Sequence, residues 1–420
     1  MPFFSFIKKY KSIRANFLYL AIIRFLNITT KFFLVAYLVR IFGEKKFGLL
    51  TWFESILQYF IIFVNFGFNI YGAKYIVNYK ENNIQLNKII SSIYFIKGSI
   101  FVSSFFILII LYFFGTFTTN NTILFILLLS ALGDLLFPVW YFQGKENLKA
   151  LIRTVVLSKG ILIVATFYFI NSPYKLNLYV YIFTICQILM GVLGFLALKK
   201  DANFHFILPE KKILKSVLST AKFYFLGNVS MLIYNALTVF IIGLYFSMEK
   251  ITAFDISLKI IFLCILPFEI LQAVVLPAIT KSKNKKLLKK MVLISLITGA
   301  SVYFFLNIFG YNLLFLFGGE EMVKYLSILK KLSFLALTVP ATFMLGQCGL
   351  VAFGIDKQYN YSLTIVAIIY VIIIFYLIIT KTISFNKLLF LRVFSDYLLF
   401  SFLIFLAFKN NLFKLSRSLK

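Results

Sequence analysis

Charged and amide side chains recur at helical spacing inside stretches that are otherwise apolar. Arg24 and Lys31, with Asn27 between them, follow at steps of three and four residues, which at about 100° per residue places them on one face of a helix. Glu54, Gln58, Asn65 and Asn69, at steps of four, seven and four, define a second face. Asp255, Lys259 and Glu269 fall within about 80° of one another on a third, and Asn228 and Asn235 lie seven residues apart. Lys97 and Asp134 interrupt two further apolar runs. Cations in such places can take the charge of an anion that has left water, amides can bond hydroxyl groups, and carboxylates can relay protons or bind ions.

These groups are costly. An ionisable side chain at the centre of a membrane helix costs about 2.5–3.5 kcal/mol to insert, so it normally faces a cavity or a partner. Eight basic residues sit inside the apolar runs (Arg24, Lys31, Lys97, Lys159, Lys259, Lys330, Lys331 and Arg392) against five acidic ones (Glu54, Asp134, Asp255, Glu269 and Asp396). Pairing at i, i+4 accounts for Asp255 with Lys259 and for Arg392 with Asp396. The stripes on the first two runs hold more polar positions than one buried pair needs. They predict a water-filled lumen, and its excess of positive charge suits an anionic passenger.

The elements that carry these residues are set by composition. The chain has 420 residues, 61% of them hydrophobic, 19% aromatic and 14% charged, with a mean hydropathy of +0.95, far from the balance of a soluble domain. A backbone in hydrocarbon must satisfy its own hydrogen bonds, as helices or as a closed barrel, and long continuous apolar runs favour helices. The expected fold is all-α, polytopic, with about 12 transmembrane helices near 16–39, 47–71, 89–113, 121–142, 151–171, 177–198, 222–246, 252–277, 290–309, 325–350, 360–380 and 388–408. The first run is too long for a signal-peptide core and is expected to be retained. The basic stretch 199–221 separates six spans from six, suggesting an N-terminal bundle over 1–198 and a C-terminal bundle over 222–420.

Charge distribution sets the topology. The net charge is +29, but it is not spread as a nucleic-acid surface would need. Alternate connections hold 27 Lys and Arg on one side and eight on the other, which by the positive-inside rule places both termini in the cytoplasm. Trp140, Tyr141 and Phe142 then read as an interfacial aromatic belt closing the fourth span, followed by the short cytoplasmic connection "GKENLKALIR".

Several chemistries find no support. Cys186, Cys264 and Cys348 show no paired spacing and His205 is the one histidine, so neither a metal site nor a disulfide framework is predicted. No phosphate-binding glycine loop occurs, no cofactor is implied, and the outer connections are too short for a polymerase or glycosyltransferase acting on lipid-linked sugars. A carrier of cationic drugs would favour an acidic lumen, which the eight-to-five balance opposes.

Three stretches carry a family resemblance: "YLVRIFGEKKFGLLTWFESILQYFIIFVNFGFNIYGAKYI" (Tyr37–Ile76), "FPVWYFQGKENLK" (Phe137–Lys149) and "IGLYFSMEKITAFDISLKI" (Ile242–Ile260). Within them Phe42, Gly43, Phe47 and Gly48, then Gly67, Phe68 and Gly72, then Trp140 to Gly144 match successive motifs, with Phe42 where Leu is usual. The chain resembles the O-antigen flippases, the polysaccharide transporters of the superfamily that also holds multidrug/toxin antiporters and lipid II flippases. The resemblance implies a bacterial inner-membrane transporter, not an enzyme. It would move undecaprenyl-pyrophosphate-linked oligosaccharide between leaflets by alternating access, for O-antigen and lipopolysaccharide assembly. Membrane lipid would surround it, and polymerase and chain-length proteins would be pathway partners. On that basis Arg24, Lys31, Lys97 and Lys259 are candidates for the pyrophosphate. Gln58, Asn65, Asn69, Asn228 and Asn235 are candidates for the sugars, and Glu54, Asp134, Asp255 and Glu269 for ion coupling.

Replacing Arg24 or Lys31 with Ala should therefore abolish glycan export while protein persists in the membrane, and Arg392→Ala should mainly lower protein level. Surface-glycan staining beside immunoblots of membranes checks both, and normal glycan in the first two variants would remove the case for a cationic lumen.

Overall fold

A computed structural model describes residues 11–79, 82–113 and 121–414 of the chain. Among the described residues there are helices and no strands. In order they are α1 (Lys11–Asn65), α2 (Phe68–Asn78), α3 (Asn83–Phe113), α4 (Asn121–Leu129), α5 (Ala131–Leu136), α6 (Val139–Gly144), α7 (Lys149–Phe169), α8 (Leu176–Ala202) and α9 (Lys211–Leu232). Then come α10 (Thr238–Tyr245), α11 (Met248–Ser282), α12 (Lys285–Gly318), α13 (Glu320–Val323), α14 (Leu326–Leu332), α15 (Leu335–Phe343), α16 (Asp356–Ile379) and α17 (Phe385–Lys409). Two π-helical segments intervene, Ile233–Leu237 between α9 and α10 and Met344–Val351 after α15.

Among the described residues ten stretches of helix are long and apolar enough to cross a membrane, and the α9–α10 pair, bent by 43° where its π segment begins, makes an eleventh. The first of the ten covers 46 residues, Phe32–Val77. At 1.5 Å per residue a straight helix of that length would extend about 70 Å, more than twice the ~30 Å hydrocarbon core. Gly43 breaks it. Its φ of 69° and ψ of 168° belong to a region that glycine alone enters without strain.

The chain forms two compact units: residues up to Phe42 with Phe53–Val229, and Gly43–Trp52 with everything from Ser230 onward. The core of the first unit is aromatic. Trp140, Tyr141 and Phe142 are wholly buried in it, together with Phe68, Tyr71, Leu151, Leu198 and Val217. These three aromatics are thus core residues rather than an interfacial belt, and the reason is local. Pro138 ends the helical run before them, and α6 restarts against α2, where Gly72 lies under the indole; a Cβ on that glycine would come within 2.7 Å of the Trp140 ring. Tyr141 Oη donates to Asp201 Oδ2 at 2.7 Å, tying the end of the fourth span to the end of α8. Where lipid is as apolar as the side chains, close packing and hydrogen bonds of this kind, rather than expulsion of water, hold helices together.

In the second unit the short segment Gly43–Trp52 is packed among residues far along the chain. Gly48 meets the Met248 carbonyl so closely that a Cβ would overlap it. Thr252 Oγ1 donates to the Glu44 carbonyl, and Trp52 Nε1 donates to the Phe240 carbonyl at 3.2 Å. Lys324 pairs with the Glu44 carboxylate, which holds its ammonium above the ordinary lysine range.

The Gly72–Trp140 contact generates a double-mutant test. Gly72→Leu overpacks the site, costing about 1–3 kcal/mol, and Trp140→Ala opens a cavity costing about 3–5 kcal/mol. In the double variant the leucine enters the space the indole vacates, so the loss of thermal stability, read from the monodisperse peak on size exclusion after heating, should be smaller than the sum of the two. Additive losses would show that the two residues do not share a packing site.

Candidate functional site

The polar groups of the first unit are organised around a break in the fourth span. In an α-helix the Asp134 carbonyl would accept from the N–H of residue 138, but that residue is Pro138 and has none to give. The α5 helix accordingly ends at Leu136. Two side chains one turn apart on α3 take over the freed carbonyls: Lys97 Nζ donates to Asp134 O at 2.9 Å and Tyr94 Oη donates to Leu136 O at 3.0 Å. Lys97 is completely enclosed there. Lys97 and Asp134, on separate spans in sequence, are thus brought together. Lys159 on α7, nearly buried, reaches Gln187 Oε1 on α8 at 3.4 Å.

Glu54, Gln58 and Asn65 are all half-buried on the second part of α1. Their shared stripe stops at Asn65. Phe66 and Gly67 both take positive φ, 37° and 76°, and α2 begins afresh at Phe68. Asn69 therefore lies beyond a left-handed turn, and helical spacing from Asn65 no longer sets its bearing. Asn228, half-buried on α9, belongs to the same unit. Arg24 and Lys31 fall on α1, but their side chains lie outside the described residues.

The second unit holds Asn235, Asp255, Lys259 and Glu269. Asp255 and Lys259 form the i, i+4 ion pair that their spacing suggests, and the ammonium also sits 5.4 Å from the centre of the Phe47 ring. Glu269 is half-buried on α11. Asn235 has a different neighbour from the one its amide suggests: its Oδ1 accepts from Arg392 Nε at 2.9 Å. Arg392 is 3% exposed, pairs with Asp396 and lies 6.0 Å from the centre of the Tyr234 ring. The Tyr234 hydroxyl donates to Leu363 O at 3.0 Å, and the Thr238 and Tyr370 hydroxyls are bonded to each other. Sequence spacing finds the Arg392–Asp396 pair and misses Asn235, because the π segment Ile233–Leu237 shifts the helical phase at that residue. Such wide turns are frequent at functional sites.

Chemically, each unit has polar groups inside its helices that are satisfied mostly by other helices. The buried and half-buried cations with a described side chain are held: Lys97 by a peptide carbonyl, Lys159 by an amide, Lys259 and Arg392 by carboxylates, whereas Lys330 and Lys331 are exposed, Lys331 donating to Asn386 Oδ1. The half-buried amides Gln58, Asn65, Asn69 and Asn228 are suited to hydroxyl-rich ligands. Among the described residues no three His, Cys, Asp or Glu side chains converge as a metal site.

Comparison with known proteins agrees with this architecture. The chain is 26% identical over 184 residues to the Escherichia coli (strain K12) protein named "Putative O-antigen transporter", covering 44% of each. It is 20% identical over 232 residues to the Shigella dysenteriae protein of the same name, covering 55% of this chain and 58% of that one. The chain thus spans about half the length of the curated relatives it matches. Its fold is that of a structure described as lipid II flippase MurJ in an inward closed conformation, with a TM-score of 0.73 at 17% identity over 93% of this chain and 87% of that one. It is also that of an inward-facing multidrug resistance MATE family transporter, with a TM-score of 0.70 at 15% identity over 93% and 96%. The chain is a multi-pass membrane protein with a transporter fold. The model of the family described as polysaccharide biosynthesis protein matches residues 13–283, well over half the sequence, and the chain belongs to that family.

Proposed function

We propose that the protein is a flippase that moves undecaprenyl-pyrophosphate-linked oligosaccharide repeat units from the cytoplasmic to the outer leaflet of the inner membrane by alternating access, for O-antigen or related surface polysaccharide. The observation that carries this reading is the polysaccharide biosynthesis family match over residues 13–283, in a chain whose apolar runs hold eight cations against five anions. Relatives named as O-antigen transporters and a fold shared with a flippase support it. The same fold serves multidrug transporters, but a cationic passenger would have to enter an interior already rich in positive charge.

The candidate residues take different roles on this reading. Lys97 and Lys259 are each committed to a partner, so on this reading they shape the cavity wall and contribute field, while Arg24 and Lys31 are the primary contacts for the pyrophosphate. A guanidinium and an ammonium on one helical face can replace water around two phosphoryl groups without fixing them permanently. Gln58, Asn65, Asn69 and Asn228 bond sugar hydroxyls. Asn235, engaged by Arg392, acts at one remove. Glu54, Asp134, Asp255 and Glu269 are the candidate carboxylates for coupling to a proton or cation gradient, Asp255 being paired with Lys259. Both termini lie in the cytoplasm, and the polymerase and chain-length proteins of the pathway act on the delivered unit.

The test is the sidedness of lipid-linked oligosaccharide in cells lacking the gene, with the intact gene restored as control. Accumulation of single units on the cytoplasmic leaflet, with loss of surface polymer, is the expected result. Units that reach the outer leaflet but stay unpolymerised would make the protein a downstream enzyme or partner and overturn the proposal.

A further inference from the structure

A groove of about 730 Å³ runs along the outer face of α3, remote in character from the polar interior. It extends from Tyr94 to Phe106 and is lined as well by Phe206. Its floor is Gly98, where nothing lies within 4 Å of the place a Cβ would occupy. Glycine weakens a helix interior, and here neither packing nor backbone conformation asks for it. The adjoining hydroxyls are turned back on their own helix, Ser99 Oγ donating to Phe95 O at 2.9 Å and Ser103 Oγ to Ser99 O at 2.8 Å, so the floor is low and apolar. The walls are exposed, Val102 by 66% and Phe206 by 56%.

Length and charge specify what would fill this space. From Tyr94 to Phe106 the helix rises about 18 Å, a little over half of the ~30 Å hydrocarbon core, so the groove spans one leaflet. Phe206 comes from the connection between α8 and α9. The Ile207 N–H donates to Ser91 Oγ at 2.9 Å and Lys88 pairs with Glu210 at 3.2 Å, which holds that connection, and Phe206 with it, beside α3. The same connection and its flanks expose Lys199, Lys200, His205, Lys211, Lys212 and Lys215. The two acids there are occupied, Asp201 by the Tyr141 hydroxyl and Glu210 by Lys88. An apolar channel of one-leaflet depth thus opens toward a basic rim.

We propose that this groove binds one anionic diacyl phospholipid, an acyl chain lying over Gly98 and the phosphate resting on the lysines of the α8–α9 connection. A long isoprenoid chain would overrun a channel that ends within one leaflet. The binding is separate from passage of the transported substrate.

Native mass spectrometry of the full-length, delipidated protein, titrated with phosphatidylglycerol and with phosphatidylcholine, tests this. Phosphatidylglycerol should be retained over phosphatidylcholine by about fivefold for each engaged lysine. Gly98→Leu fills the floor and should cut the phosphatidylglycerol adduct several-fold, and Ser103→Leu should do the same from the far side, each checked as a monodisperse peak on size exclusion. The double substitution K211Q/K212Q should lower retention of phosphatidylglycerol and leave that of phosphatidylcholine unchanged. Equal retention of the two lipids, undiminished adducts in either folded leucine variant, or retention of undecaprenyl phosphate ahead of phosphatidylglycerol would each overturn the proposal.

Discussion

A peptide carbonyl inside hydrocarbon has no water to turn to, and the first unit is arranged around one such group. Pro138 strips the Asp134 carbonyl of its helical donor, and Lys97 supplies another from α3. Much follows from that single bond. The break lets α6 leave the line of α5 and place Trp140, Tyr141 and Phe142 inside, where they meet Phe68 and Tyr71 of α2. Because the replacement donor carries a charge, the solution also puts a cation deep in the unit, beside an acidic residue. A structural repair and an electrostatic feature are the same side chain, which is why burial alone does not reveal which of the two roles a membrane lysine serves.

The motif glycines acquire a common meaning in the structure. Gly72 makes room for an indole, Gly48 for a carbonyl, and Gly43 for a backbone turn. Two of the sequence stretches that carry the family resemblance, around Gly67–Gly72 and Trp140–Gly144, are the two faces of one contact between α2 and α6. Membrane helices approach closely where a side chain is missing. A pattern met in sequence as two separate signatures is therefore one packing solution written in two places.

Sequence periodicity and hydropathy made the helical architecture legible, and the expected spans fall mainly on helix within the described residues, broken at Phe66–Gly67, at Phe137–Pro138 and at a few span ends. The i, i+4 pairs Asp255–Lys259 and Arg392–Asp396 were legible for the same reason, since a regular helix fixes their separation. What periodicity could not show lies where the helix is irregular. The turn at Phe66–Gly67 cuts the stripe before Asn69, and the π segment at Ile233–Leu237 sends Asn235 to Arg392. The buried aromatics after Pro138 look like an interfacial belt because their types fit both settings; only the glycine opposite them decides it. Composition likewise gives no sign that Gly43–Trp52 counts with the second unit.

That last segment has a consequence for how the protein is made. The chain passes between units at three points, after Phe42, after Trp52 and after Val229, so the first stretch to be assigned to the second unit leaves the ribosome long before that unit exists. Its partners, from Phe240 to Thr252, are encoded nearly 200 residues later. At about 5–20 residues per second, roughly 10–40 s pass before the Thr252 hydroxyl can reach the Glu44 carbonyl and the Phe240 carbonyl the Trp52 indole. Assembly of this protein cannot be a sequence of two finished halves; its first hairpin is completed only when the middle of the chain arrives.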